Sequence, residues 1–125
     1  MSRLGAERDK TRRLVARLAP ASLLSDTKWR KAFGVLKQPK LGLDIVGIKF
    51  LDVDDEKVVT LKGVGLHPPR AFIDSFEFGP FELIAIEWLR IPREQSPPVI
   101  EELAKLGHFT LDETDDGVRI IGHRL

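Results

Sequence analysis

The chain has 125 residues, 42% hydrophobic and 31% charged, enough for a single domain whose core buries roughly two thirds of the unfolded surface. It holds no cysteine, which excludes a disulfide framework, a thiolate metal site and a cysteine nucleophile, and fits a cytoplasmic setting. A net charge of +1 hides an asymmetry: residues 1–40 hold 11 Lys or Arg against Glu7, Asp9 and Asp26, whereas the remaining 85 hold 9 against 16 acidic residues. The basic end could contact nucleic acid, or lie against the acidic half of the same molecule or of a second subunit, and the second reading is preferred. No run of about 18 apolar residues is present, and the basic N-terminus lacks the apolar stretch of a leader, so a soluble, unprocessed protein with no membrane contact is expected.

In chain order, Leu4, Thr11, Leu14, Val15 and Leu18 predict a first helix that ends before Pro20, with Arg8, Arg12, Arg13 and Arg17 crowded away from the apolar stripe. The second helix has Ser25 at its N-cap, Asp26 in its first turn and Leu24 placed to staple onto Trp29. Trp29, Ala32, Phe33 and Leu36 follow at helical spacing and form its buried stripe, while Lys28, Arg30, Lys31 and Lys37 take the wet side.

After Pro39 and Gly42 the period becomes β-like. Residues 43–52 and 58–61 flank an acidic turn and read as a hairpin; Asp52, Asp54, Asp55 and Glu56 could hold a hard cation but lack the glycine and distal glutamate of an EF-hand loop. An irregular Gly- and Pro-rich connection carries His67 and Arg70 but no phosphate-loop signature, and residues 71–76 read as a short strand. Residues 78–90 then couple a Gly-Pro corner to an apolar run, expected as a central strand. In it Leu83, Ala85, Glu87 and Leu89 alternate with Ile84, Ile86 and Trp88, so that both faces would be covered. Glu87 on a covered face needs a partner, for which Arg70, Arg90 or an arginine of the first helix is available.

Ser96 at the N-cap, Pro97 at the first position, the stripe Val99, Leu103 and Leu106, and Gly107 as the stop predict a third helix. Asp115, Asp116 and Gly117 then mark a hairpin. A two-residue loop pairs Thr114 with Gly117, Asp112 with Arg119, Leu111 with Ile120 and His108 with His123, whereas a bulge at Gly117 would shift the register. The His108–His123 pair is the sole multi-histidine candidate for a metal site, against the preferred reading that no metal is bound.

Thr27 to Phe33, Phe78-Gly79-Pro80-Phe81-Glu82, Ile86-Glu87-Trp88-Leu89 and Asp116 to Gly122 together resemble the signature of a bacterial family of unknown function, over about residues 22–123. Val118 stands where that family carries Ile, and no aromatic follows Ile121. The resemblance implies a small cytoplasmic α+β domain and supplies no catalytic residue. The architecture expected for residues 1–125 is α+β, a mainly antiparallel sheet of five or six strands with two N-terminal helices and a third near the C-terminus packed on one side. The favoured function is a non-enzymatic protein-interaction module, of accessory, regulatory or immunity type, without a cofactor and acting through a protein partner or self-association. One alternative is nucleic-acid binding through Arg8, Arg12, Arg13, Arg17, Lys28 and Lys31. Another is a small enzyme using Glu87 with His67, Arg70 or the pair His108 and His123.

Overall fold

The computed structural model describes residues 21–51, 53–66, 72–75 and 81–124. The first expected helix with Arg8, Arg12, Arg13 and Arg17, and the loop residues His67 and Arg70, lie outside these residues. A short strand β1 (Ala21–Ser22) precedes helix α1 (Asp26–Leu36). The Ser25 hydroxyl accepts the Lys28 N–H at 3.2 Å, which satisfies one of the donors orphaned at a helix start. Trp29, Ala32, Phe33 and Leu36 are fully buried, as their spacing requires. Lys37 and a tight turn at Pro39–Leu41 end the helix, and Gly42 takes the left-handed conformation (φ 61°) that reverses the chain.

Strands β2 (Ile45–Phe50) and β3 (Lys57–Thr60) form the hairpin expected around the acidic turn. Strands β4 (Val64–Leu66), β5 (Phe72–Ser75) and β6 (Phe81–Glu82) make a separate three-stranded sheet, whose first member falls in the stretch read as irregular. Strand β7 (Ile86–Pro92) leads to α2 (Ser96–Leu106), and β8 (Leu111–Thr114), β9 (Gly117–Ile121) and β10 (His123–Arg124) complete the chain. The main sheet is antiparallel throughout, in the order β3-β2-β7-β9-β8, and β10 leaves it to pair with β1. The α+β expectation therefore holds with five strands in the main sheet and two helices among the described residues.

The core lies on one side of that sheet. Trp29, Phe33 and Leu36 from α1, and Val99 and Leu103 from α2, share one cluster with Val46, Ile48, Val59, Leu89, Ile91 and Ile120. The strand members alternate along their strands, so one face of the sheet lies on this core, while among the described residues no helix covers the opposite face. This corrects the expectation of a strand buried on both sides: Glu87, Trp88 and Arg90 are half-buried, while Ile86, Leu89 and Ile91 point into the core. Residues 78–90 are not one strand either, because Phe81–Glu82 belongs to the small sheet and a 3-10 turn at Leu83–Ala85 carries the chain from one sheet to the other. Two details of α2 also differ. The Ser96 hydroxyl donates to the Arg93 carbonyl at 2.9 Å instead of capping the helix, and Leu106 is 40% exposed, outside the buried stripe.

A β-bulge fixes how β7 faces its neighbours. Lys49 opposes Trp88 but Phe50 opposes Ile86, so Glu87 is the extra residue against β2. On the other side the pairing runs on unbroken, and the Gly122 N–H donates to the Glu87 carbonyl at 2.7 Å. A Cβ at position 122 would collide with the Ile86 carbonyl and come within 3.0 Å of the Trp29 ring. Gly122→Ala is therefore expected to lower stability by about 1–3 kcal/mol, the cost of forcing a shift in a packed core. By contrast Gly34 is exposed on α1 with nothing near its missing Cβ, so Gly34→Ala should raise stability by about 0.5–1 kcal/mol. Urea unfolding of the two variants checks both signs, and a neutral Gly122→Ala would contradict the close approach of β7, β9 and Trp29.

Candidate functional site

The antiparallel register lays Val58, Gly47, Arg90, Arg119 and Asp112 in one row across the uncovered face, with Lys49, Trp88 and Ile121 in the next. Gly47 shapes this face by what it lacks. A Cβ there would stand 2.5 Å from the carboxyl carbon of Glu56, which lies over the strand in the vacant space. From that position the Glu56 carboxylate accepts the Trp88 indole N–H at 3.2 Å and the Arg90 Nε–H at 3.1 Å from each of its oxygens. Arg90 also donates to the Asp116 carbonyl at 3.3 Å and stands 3.6 Å from its carboxylate. These anions, the hydrogen-bonded Glu56 foremost, raise the Arg90 guanidinium above its ordinary pKa.

Glu87 also finds its partner here. The bulge turns it to the uncovered face beside Trp88, where Lys49 Nζ approaches its carboxylate at 3.1 Å. Both side chains are 13% exposed. The same ammonium donates to the Phe50 carbonyl at 2.6 Å and lies 5.8 Å from the Trp88 ring. The partner is thus a lysine on β2 and not one of the arginines considered, and Glu87 is joined to neither His108 nor His123.

Arg119 is treated differently from its neighbours. It faces Asp112 across the β8–β9 hairpin, but Asp112 is clamped by Arg124 through two bonds of 2.9 and 3.0 Å. The hydrogen-bonded Arg124 holds the Asp112 carboxyl below the usual aspartate range. The Arg119 guanidinium instead stacks 4.1 Å from the centre of the Trp88 ring, and its Nε is shut away from solvent without an acceptor. Among the described residues no carboxylate forms an ion pair with it.

The remaining candidates separate. The Asp115-Asp116 hairpin keeps the two-residue register as far as Leu111–Ile120, but Gly122 bends the chain out of the ladder, so His108 and His123 are not opposed. Buried His123 meets the Ile84 carbonyl through Nε2 at 2.6 Å, whereas the exposed His108 offers its own carbonyl to Lys28. Glu56 is turned to Arg90 and Trp88 and does not join Asp54 and Asp55 in a cation loop. Among the described residues no group of three or more His, Asp or Glu is placed to hold a metal. Lys28 is engaged with the His108 carbonyl and lies 4.7 Å from the centre of the Phe109 ring, while Lys31 is exposed on α1. An open cleft of about 450 Å³ lies beyond the end of α1, walled by Pro39, Leu43 and Leu61, where Lys37 donates to the Leu61 and Val64 carbonyls.

The family models, the curated proteins and the solved structures each yield no match to this chain. Among the described residues no helix is long and apolar enough to cross a membrane.

Removing the Glu56 carboxylate would take the acceptor from the Trp88 indole N–H and the Arg90 Nε–H, leaving Arg90 only its contacts with Asp116. Glu56→Ala is expected to cost about 1–3 kcal/mol, measurable by urea unfolding. The Asp112–Arg124 clamp has a pH signature. Because the folded pKa of Asp112 is depressed, its contribution to stability is present above the unfolded value of about 3.9 and is lost as pH falls through the folded value. Arg124→Gln should raise the Asp112 midpoint followed by carboxyl-carbon NMR, and its stability deficit against wild type should shrink in acid.

Proposed function

We propose that the chain is a non-enzymatic protein-interaction module, and that it meets its partner with the uncovered face of the five-stranded sheet. The single observation that carries this reading is Arg119, stacked on Trp88 with no carboxylate bonded to it among the described residues, on a face where Arg90, Lys49 and Asp112 each form an ion pair. Tryptophan and arginine are the side chains that most often dominate binding energy at protein interfaces. Ile45 and Val58, 45% and 60% exposed, add apolar surface at the β3 side of the same face. Charged groups already matched within the fold do not oppose docking, since they bring their partners with them.

The same reading takes the chain as a cytoplasmic member of the bacterial family that its motifs resemble. An enzyme built on Glu87 has less support, because the carboxylate is paired with Lys49. The nucleic-acid reading is weakened at Lys28, whose ammonium is engaged within the fold.

The test compares retention of partner proteins from extract by the wild-type chain, by Trp88→Ala with Arg119→Gln, and by Lys31→Glu, each shown to be folded by circular dichroism. The face variant should lose its partner by roughly tenfold or more, as loss of a hot spot does, while Lys31→Glu keeps it. Equal retention by wild type and the face variant would contradict the assignment.

A further inference from the structure

Resting on the interaction face just described, we infer that the partner presents a carboxylate, an aspartate or glutamate on a protein segment, to the Arg119 guanidinium. The charge pattern leads there. Along the central rows of the face, Lys49 is matched by Glu87, Arg90 by Glu56 and Asp116, and Asp112 by Arg124. Arg119 has an aromatic ring beneath it; Asp112 and Asp116 lie near enough to feel its charge, but among the described residues neither bonds to it or forms an ion pair with it. Stacking on Trp88 restrains the planar fork before the partner arrives, so less rotamer freedom is lost when it closes on a carboxylate.

The number of unmatched charges selects among anions. A nucleic-acid strand binds by neutralising many phosphates, and one unmatched cation gives it almost no electrostatic grip. A phosphorylated side chain carries about −1.5 to −2 and is ordinarily met by several arginines. One guanidinium matches one carboxylate. A second copy of this chain docked face to face about a twofold axis would bring another unmatched Arg119 and no unmatched carboxylate from these rows.

The register gives the partner a spacing. Val58 lies in the same row as Arg119, three strand separations away, or roughly 14 Å. An extended segment advancing about 3.4 Å per residue covers that distance in about four residues, and residues at i and i+4 project from the same side. The partner segment therefore carries an acidic residue four positions from an apolar one.

The experiment titrates the full chain with three peptides of one Ser/Thr background. Each has a leucine four residues from a variable position occupied by glutamate, glutamine or phosphoserine. The Trp88 indole and Arg119 Nε–H signals are followed by NMR. The glutamate peptide should shift both signals and bind at least tenfold more tightly than the glutamine peptide, and Arg119→Gln should bring the two peptides level. Equal binding of the glutamate and glutamine peptides to this face would overturn the carboxylate assignment and leave the face itself in place. Tighter binding of the phosphoserine peptide than of the glutamate peptide would replace the carboxylate with a phosphate. If no peptide moves the Trp88 signal, the carboxylate inference fails, while the interaction face is judged separately by the partner-retention comparison.

Discussion

The bulge at Glu87 is the constraint from which the layout of both faces follows. Without it, strict alternation would send Glu87 to the side of Leu89 and Ile91, into a core lined by Trp29, Phe33 and Ile48. A carboxylate there would cost several kcal/mol unless paired and hydrogen-bonded. One extra residue against β2 places Ile86 inside and turns Glu87 and Trp88 outward together, opposite Lys49. The bulge costs one strand pairing on one side only, because the β9 side continues through the Gly122 N–H and the Glu87 carbonyl. Gly122 completes the arrangement by letting the Trp29 ring and the Ile86 carbonyl approach where any side chain would collide.

With the core on one side, the other face becomes a matter of charge. It is organised by pairs: Glu56 over Gly47 holds Arg90 and the Trp88 indole, Lys49 holds Glu87, and Arg124 holds Asp112. Water screens the exposed Arg124–Asp112 pair and desolvation offsets the attraction in the largely buried Lys49–Glu87 pair, so the greater effect of these pairs is to fix side-chain positions. They also take up the anions that Arg119 would otherwise use. The asymmetry between a basic N-terminal third and an acidic remainder is partly resolved inside the fold. Lys40 reaches Glu102 at 2.5 Å, and Lys28 and Lys37 donate to carbonyls of the later chain.

Much of the fold was legible in the sequence where one local signal decided it. The cap at Ser25 and the stripe Trp29, Ala32, Phe33 and Leu36 fix α1, and the Asp115-Asp116 loop fixes the hairpin register through Asp112 and Arg119. The break within residues 78–90 was not legible, because a 3-10 turn of Leu83, Ile84 and Ala85 has the same apolar composition as a strand. The bulge was hidden for a similar reason. It depends on how β2 meets β7, a contact between residues about 38 apart in sequence that no periodicity encodes. Arg119 could be placed opposite Asp112 from the turn alone, but that Arg124 would take Asp112 depended on the bend at Gly122. The expected pairing of His108 with His123 failed at the same bend.

On this face Arg119 is held by an aromatic ring and not by a bonded carboxylate, and its Nε–H signal reports that directly. Arginine side-chain NMR, followed as pH falls through the carboxylate range, should show the Arg124 signal moving as Asp112 protonates. The Arg119 signal should move less with pH than that of Arg124, be displaced by the Trp88 ring current, and return toward the free value in Trp88→Leu. An Arg119 signal that follows a carboxylate as closely as that of Arg124, and ignores the loss of the ring, would contradict the account.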